Sequence, residues 1–248
     1  MLRTALMLAI LMGSATAAPK KTQAKKTATK SHKQSRFSNV GDADQTPAVK
    51  YAAMTADECE AELGNRNIGF SKEEHRGVVD PIRLTGTLHG VEFRTDESDT
   101  KREDSPYEVL DCRLALALDD FSKILAAHDI VQVRHYSMYR PPPKSWADDR
   151  IGGQHNGALA IDAGRFTKKD GSTLDVLNDF HGKIGDKTCG DGAGPRKPDD
   201  KSKELREILC TAVDQHLFNV VLTPDFNRPH RNHFHLEVMA NVKWFLVH

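Results

Sequence analysis

Gln154-His155-Asn156-Gly157-Ala158-Leu159-Ala160-Ile161-Asp162 and, late in the chain, Pro229-His230-Arg231-Asn232-His233-Phe234-His235-Leu236-Glu237 are the stretches whose reading decides the fold and the chemistry together. In the second, polar and apolar residues alternate. A strand over His233–Met239 therefore puts His233, His235 and Glu237 on one face and Phe234, Leu236 and Val238 on the other. The apolar face can bury against a helix. The polar face presents two imidazoles about 7 Å apart at Cα, two steps of ~3.3–3.4 Å. One can bind a metal while the other reaches a metal-bound water.

A strand over Ala158–Ala163 sets Asp162 on one face with Ala158 and Ala160, whose small side chains leave room above the sheet. His155 would point to the opposite face of an unbroken strand. Asn156-Gly157 is a natural turn or bulge that can bring it back over Asp162. Two imidazoles and one carboxylate make a zinc site with a fourth position left open. Each piece alone has a bland explanation, a His-x-His on a surface strand or an Asp capping a strand end. Together, with the turn between His155 and Asp162, they favour a metal site. An iron centre of two histidines and a carboxylate uses His-x-Asp, with a single intervening residue. Here the His-to-Asp spacing is much longer, and zinc is preferred.

Working outward, an apolar stripe of Leu114, Leu118, Phe121 and Leu125 predicts a helix over about 109–127. A second helix starts after Asp199 or Asp200, plausible N-caps, and carries Leu205, Ile208, Leu209, Ala212, Val213 and Leu217 at helical spacing. Strands are expected at Ile130–Ser137 and Asn219–Thr223. Residues 92–106 and 185–202 are polar, rich in turn formers and read as loops. This order predicts an α+β single domain over residues 53–248, with a mainly antiparallel sheet flanked by helices.

The N-terminus has one arginine, Arg3, then an apolar run from Ala5 to Met12 and small residues at Ala15, Thr16 and Ala17, the layout of a signal peptide over 1–17. The run is too short to span a bilayer, and no later segment approaches the ~20 apolar residues that spanning needs. The expected setting is periplasmic or secreted. Residues 18–52 read as a basic, disordered linker, because 19–36 carry Lys20, Lys21, Lys25, Lys26, Lys30, Lys33 and Arg36 without one acid. The whole chain balances 35 Lys and Arg against 35 Asp and Glu, which argues against a nucleic-acid binder with a uniformly basic domain. Four cysteines, none in a Cys-x-x-Cys, favour two disulfides in an exported chain. Of the three pairings, Cys59–Cys112 with Cys189–Cys210 is preferred, since each ties a segment to a nearby helix.

His-x6-Asp followed by a late His-x-His resembles the signature of zinc peptidases that cut bacterial cell-wall peptides, the D-Ala-D-Ala carboxypeptidases and dipeptidases and the murein endopeptidases. The zinc site of Hedgehog signalling domains is similar. A longer match, from Cys59 to Glu237, resembles the bacterial extensin-like C-terminal domain family. It runs through Leu110-Asp-Cys-Arg-Leu-Ala-Leu-Ala-Leu118, Ser137-Met-Tyr-Arg140 and the two stretches above.

The resemblance implies a Hedgehog/DD-peptidase-like fold and zinc held by His155, Asp162 and His235. It implies His233 as general base or orienter of the zinc water, and His230 as the further histidine of the murein endopeptidases. Relatives lacking that histidine use a Glu where this chain has Asn232, so proton transfer falls to His233 or His230. Arg140 resembles the arginine that polarises the scissile carbonyl or grips a substrate carboxylate. Gly153 stands where relatives have Ser, which removes one hydrogen bond near the first ligand. The implied activity is zinc-dependent hydrolysis of peptidoglycan stems or cross-links by a monomer, as carboxypeptidase or endopeptidase. The alternative is a wall-associated binding module with a structural or vestigial zinc site.

Overall fold

The computed structural model describes residues 37–248. The expected signal peptide at 1–17 and the basic stretch at 19–36 lie outside the described residues. The first half contains β1 (Phe37–Asn39), α1 (Pro47–Ala52), α2 (Ala56–Asn65), β2 (Phe70–Lys72), β3 (Pro81–Leu84), β4 (Glu92–Arg94), α3 (Asp99–Arg102), β5 (Leu110–Asp111) and α4 (Cys112–Ala127). The second contains β6 (Ile130–His135), β7 (Ala160–Lys168), β8 (Thr173–Asp175), α5 (Val176–Asp179), α6 (Asp200–Asp214), β9 (Val220–Leu222), β10 (Phe234–Glu237) and β11 (Trp244–Val247).

The main sheet has the order β1-β11-β9-β10-β7-β6-β4, with β8 alongside β7. The β11–β9 and β4–β6 pairs are parallel and the others antiparallel. A second sheet, β2-β3-β5, is antiparallel. The chain is thus α+β, with helices flanking a mainly antiparallel sheet. No described helix is long and apolar enough to cross a membrane.

α4 is the central helix. Leu114, Leu116, Leu118, Phe121 and Leu125 are all fully buried, and the helix packs against α1, α2, α6 and β6. A helix apolar nearly all round needs such cover on every side. Asp111 caps it by accepting from the Arg113 amide, and binds the Arg113 guanidinium through both oxygens. α6 shows the ordinary amphipathic pattern. Asp199 and Ser202 form a reciprocal cap, Leu205, Ile208, Leu209 and Ala212 turn inward, and Lys201, Lys203 and Glu207 face solvent. On β10, Phe234 and Leu236, with Val238 just beyond, bury in the core as the alternation predicts.

Several boundaries differ from expectation for identifiable reasons. Residues 37–52 are part of the domain and not linker. β1 pairs with β11, and α1 buries Ala48, Tyr51 and Ala52. Tyr51 bonds through its hydroxyl to Asp120 of α4 and accepts from Arg66 Nη2 at 2.8 Å. Lys50 is the one Lys or Arg in 37–52, so the composition that argued for disorder stops at Arg36. Within the expected 92–106 loop, Phe93 is buried and draws Glu92–Arg94 into an edge strand beside β6. The first long helix begins at Cys112, since Leu110–Asp111 pair with β3. The strand expected from Ala158 begins at Ala160. Ala158 itself is left-handed, with φ 53°, and packs with Val109 and Tyr139.

Both expected disulfides are present. Cys59–Cys112 joins α2 to the start of α4, and Cys189–Cys210 ties the loop before α6 to that helix. Closing loops of 53 and 21 residues constrains the unfolded chain by about 4 and about 3 kcal/mol in the chain-entropy picture.

Beside the first disulfide, the Asp80 carbonyl accepts from the Cys112 amide at 3.0 Å, while the buried Asp80 carboxylate leaves Oδ2 without a hydrogen-bond partner among the described residues. Burial, together with the charges of Glu60 and Asp111, pushes its pKa up to about 6. The folded state therefore binds this proton more tightly than the unfolded chain. Its contribution to stability falls as pH rises from about 4 to about 6, and the penalty is complete above that. Asp80→Asn is expected to raise stability by on the order of 1–3 kcal/mol at pH 7 and to match the parent at pH 4. Denaturant unfolding at the two pH values checks this, and an equal gain at both would contradict it.

Candidate metal centre

The antiparallel register of β10 on β7 places His235 directly opposite Asp162. His155 arrives from a 3-10 turn, Gln154–Gly157, bounded by left-handed Gln154 (φ 48°) and Ala158 (φ 53°). The turn folds so tightly that a Cβ at Gly157 would stand 2.4 Å from the Gly152 carbonyl carbon and oxygen. Only glycine fits there. Asn156-Gly157 thus returns His155 to the Asp162 side, as the sequence suggested.

His155, Asp162 and His235 are buried, and among the described residues they form the group whose donor atoms lie within 4.8 Å of one another and could hold a metal ion. His155 Nε2 and His235 Nδ1 lie 3.1 and 3.0 Å from Asp162 Oδ1. Each ring is fixed from behind. His155 Nδ1 is 3.1 Å from the Met138 carbonyl, and His235 Nε2 is 3.4 Å from Glu237 Oε2. The Met138 carbonyl can only accept, so Nδ1 of His155 carries the hydrogen and Nε2 is the ligand atom. Glu237 orients His235 in the same sense, with Nδ1 inward. Two imidazoles, one carboxylate and oriented outer partners suit zinc, so the residues present fit the implied metal.

The charges agree with this arrangement. Burial opposes ionisation of Asp162, but the His155 and His235 rings set against its Oδ1 outweigh it and hold the carboxyl well below the usual range. Burial likewise disfavours the His235 imidazolium, yet Asp162 and Glu237 together raise its pKa to about 9. Ligation requires the neutral ring, so metal binding at His235 releases a proton.

The other predicted residues gather at the same place. His233 Nε2 is 3.3 Å from Asp162 Oδ1, and burial lowers the His233 pKa to about 4. The His230 ring lies 5.2 Å from that of His233 and 5.8 Å from that of His235. Arg140 is half exposed. Its Nε donates to Ser137 Oγ at 2.8 Å, and its Nη2 pairs with Asp162 Oδ2. A guanidinium has five N–H donors, so Arg140 can hold Asp162 and still present hydrogens outward. All six predicted residues are brought together.

The sequence reading missed the partners behind them. The Met138 carbonyl offers no side-chain signal. Glu237 shares the His235 face, and that alternation could have marked it as the partner of His235. Asn232 bridges His233 and Tyr136, with Oδ1 3.0 Å from His233 Nδ1 and Nδ2 2.9 Å from the Tyr136 hydroxyl. Asp225, fully buried, pairs with Arg206, accepts from the Lys183 amide and meets Thr188 Oγ1. It fastens the loop after α5 to the turn that leads to His230. A separate cavity of about 570 Å³, lined by Arg83, Glu92, Arg102 and Glu108, shares no residue with the triad. Its arginines are paired with acids.

Residues 57–246 match the extensin-like protein C-terminus family, and the chain belongs to that family. Comparison with curated proteins and with solved structures finds no significant match.

One zinc per chain is expected in the purified protein. His155→Ala, Asp162→Ala and His235→Ala should each abolish it, and Glu237→Gln should weaken binding by roughly 10–100-fold as an outer partner. Metal analysis and competition with a chromogenic chelator measure both effects. Full occupancy in any of the three alanine variants would remove that residue from the ligand set.

Proposed function

We propose that this protein is an exported zinc peptidase that hydrolyses peptide bonds in peptidoglycan stems or cross-links. The observation that carries the reading is the convergence of His155 Nε2, Asp162 Oδ1 and His235 Nδ1, with His233 and Arg140 both on Asp162. Family membership and two disulfides, which persist in oxidising compartments, support a wall-facing setting. The likeness of the His-x6-Asp and His-x-His spacing to that of wall-cutting zinc peptidases supplies the substrate class.

Zinc held by His155, Asp162 and His235 would supply Lewis acidity, polarising a carbonyl and bringing the pKa of water from about 15.7 to roughly 7. His233, kept neutral at pH 7 by burial, accepts a proton from the attacking water at Nε2 and returns it to the leaving amine. Arg140 directs its outward N–H groups at the developing oxyanion. Asn232 and Tyr136 hold the His233 ring in place, and His230 supports it from the side.

A second reading has its own support. Asp162 is satisfied by protein alone, with imidazoles on one oxygen and Arg140 on the other, as a purely structural cluster in a binding module would be. Incubation with purified sacculi separates the two readings. The peptidase should release shortened or uncrosslinked stem peptides detectable by mass, lose this with chelator and regain it with zinc. His233→Ala should keep its zinc and lose turnover by ~10²–10⁴-fold. Zinc-loaded protein that binds sacculi and cuts no bond would establish the binding module instead.

A further inference from the structure

We infer that Asn227 is a positioning residue that fixes the tautomer of His230 and so presents Nε2 of that ring as a proton acceptor. Its kinetic consequence rests on the peptidase reading, whereas the hydrogen-bond arrangement does not. Asn227 caps the short 3-10 turn Arg228–His230, and its Oδ1 lies 3.3 Å from the His230 backbone nitrogen. A backbone N–H only donates, so the atom facing it must be the amide oxygen and not the amide nitrogen. That same oxygen is 2.7 Å from His230 Nδ1. An amide oxygen only accepts, so Nδ1 carries the hydrogen. The neutral ring then keeps its lone pair on Nε2, which has no hydrogen-bond partner among the described residues.

The ring has little freedom to escape this choice. Phe226 packs edge-on at 5.4 Å, His233 lies at 5.2 Å and His235 at 5.8 Å between centroids. The turn is anchored two residues before Asn227, where buried Asp225 binds Arg206 and the Lys183 amide. When Nε2 takes up a proton, the imidazolium keeps its Nδ1–H on Asn227. The Asn227 oxygen accepts in both states, so no side chain must turn.

Two substitutions separate capping from positioning. Asn227→Asp keeps a cap and an acceptor that reaches Nδ1. Asn227→Ser keeps a good cap, but its shorter hydroxyl can donate as well as accept and no longer dictates the tautomer. Ring ¹⁵N spectra of the zinc-loaded, histidine-labelled full chain read the tautomer directly. The parent and Asn227→Asp should show Nδ1–H at His230, and Asn227→Ser a mixture. With zinc content and KM unchanged, kcat of Asn227→Ser should fall by roughly tenfold or more, short of the ~10²–10⁴ of a removed acid–base group, while Asn227→Asp stays near the parent. An Nε2–H tautomer in the parent, or an unaltered tautomer in Asn227→Ser, overturns the inference whatever the activity. A tautomer that moves as expected in a protein whose parent cuts no wall peptide leaves the positioning intact and refutes the peptidase reading.

Discussion

The pairing of His235 with Asp162 across β10 and β7 is the constraint on which the rest of the site depends. Side chains alternate along a strand, so a slip of one residue in this register would send His235 into the core and Phe234 or Leu236 into the site. The apolar face prevents that slip. Phe234, Leu236 and Val238 are fully buried on one side, and a one-residue slip would turn all three toward the polar face. The hydrophobic core thus sets the position of the polar centre, and the centre needs no separate structural device. His155 is the exception. It reaches the site from a strained turn that Gly157 alone permits.

Placing carboxylates and imidazoles this deep is costly unless each is partnered. The chain meets the demand with a layered arrangement. Asp162 lies at the centre with His155, His233 and His235 on one oxygen and Arg140 on the other, and the Met138 carbonyl and Glu237 stand behind two of the rings. Among the described residues, Glu237 Oε1 has no hydrogen-bond partner. The layer nearest solvent contains Arg140 and Tyr136, both about half exposed. The same geometry explains why Asp162 is ionised throughout the physiological range.

The sequence made much of this legible because strand alternation is a simple rule. His233, His235 and Glu237 share a face by spacing alone, and Asn156-Gly157 marked the place where the chain turns back. Asp199 and the spacing of Leu205, Ile208 and Leu209 marked α6, and the pairing of both disulfides followed from which segments lie near helices. What escaped had no periodic signature. β4 is three residues long and rests on the burial of Phe93. α1 follows a Lys-rich stretch whose composition masked the change at Phe37. The contribution of Met138 is a backbone carbonyl, and that of Asn227 depends on a turn whose hydrogen bonds exist only once the loop is anchored by Asp225. Tertiary anchoring of this kind cannot be read from local pattern.

The central claim is that His155, Asp162 and His235 hold a divalent metal. Diffraction from crystals of the purified protein, with data on both sides of the zinc absorption edge, tests it most directly. The account predicts one strong anomalous peak, present only above the edge, within bonding distance of His155 Nε2, Asp162 Oδ1 and His235 Nδ1. Crystals grown with zinc that show no peak there, and keep Asp162 bonded to His155, His235 and Arg140 alone, would contradict it.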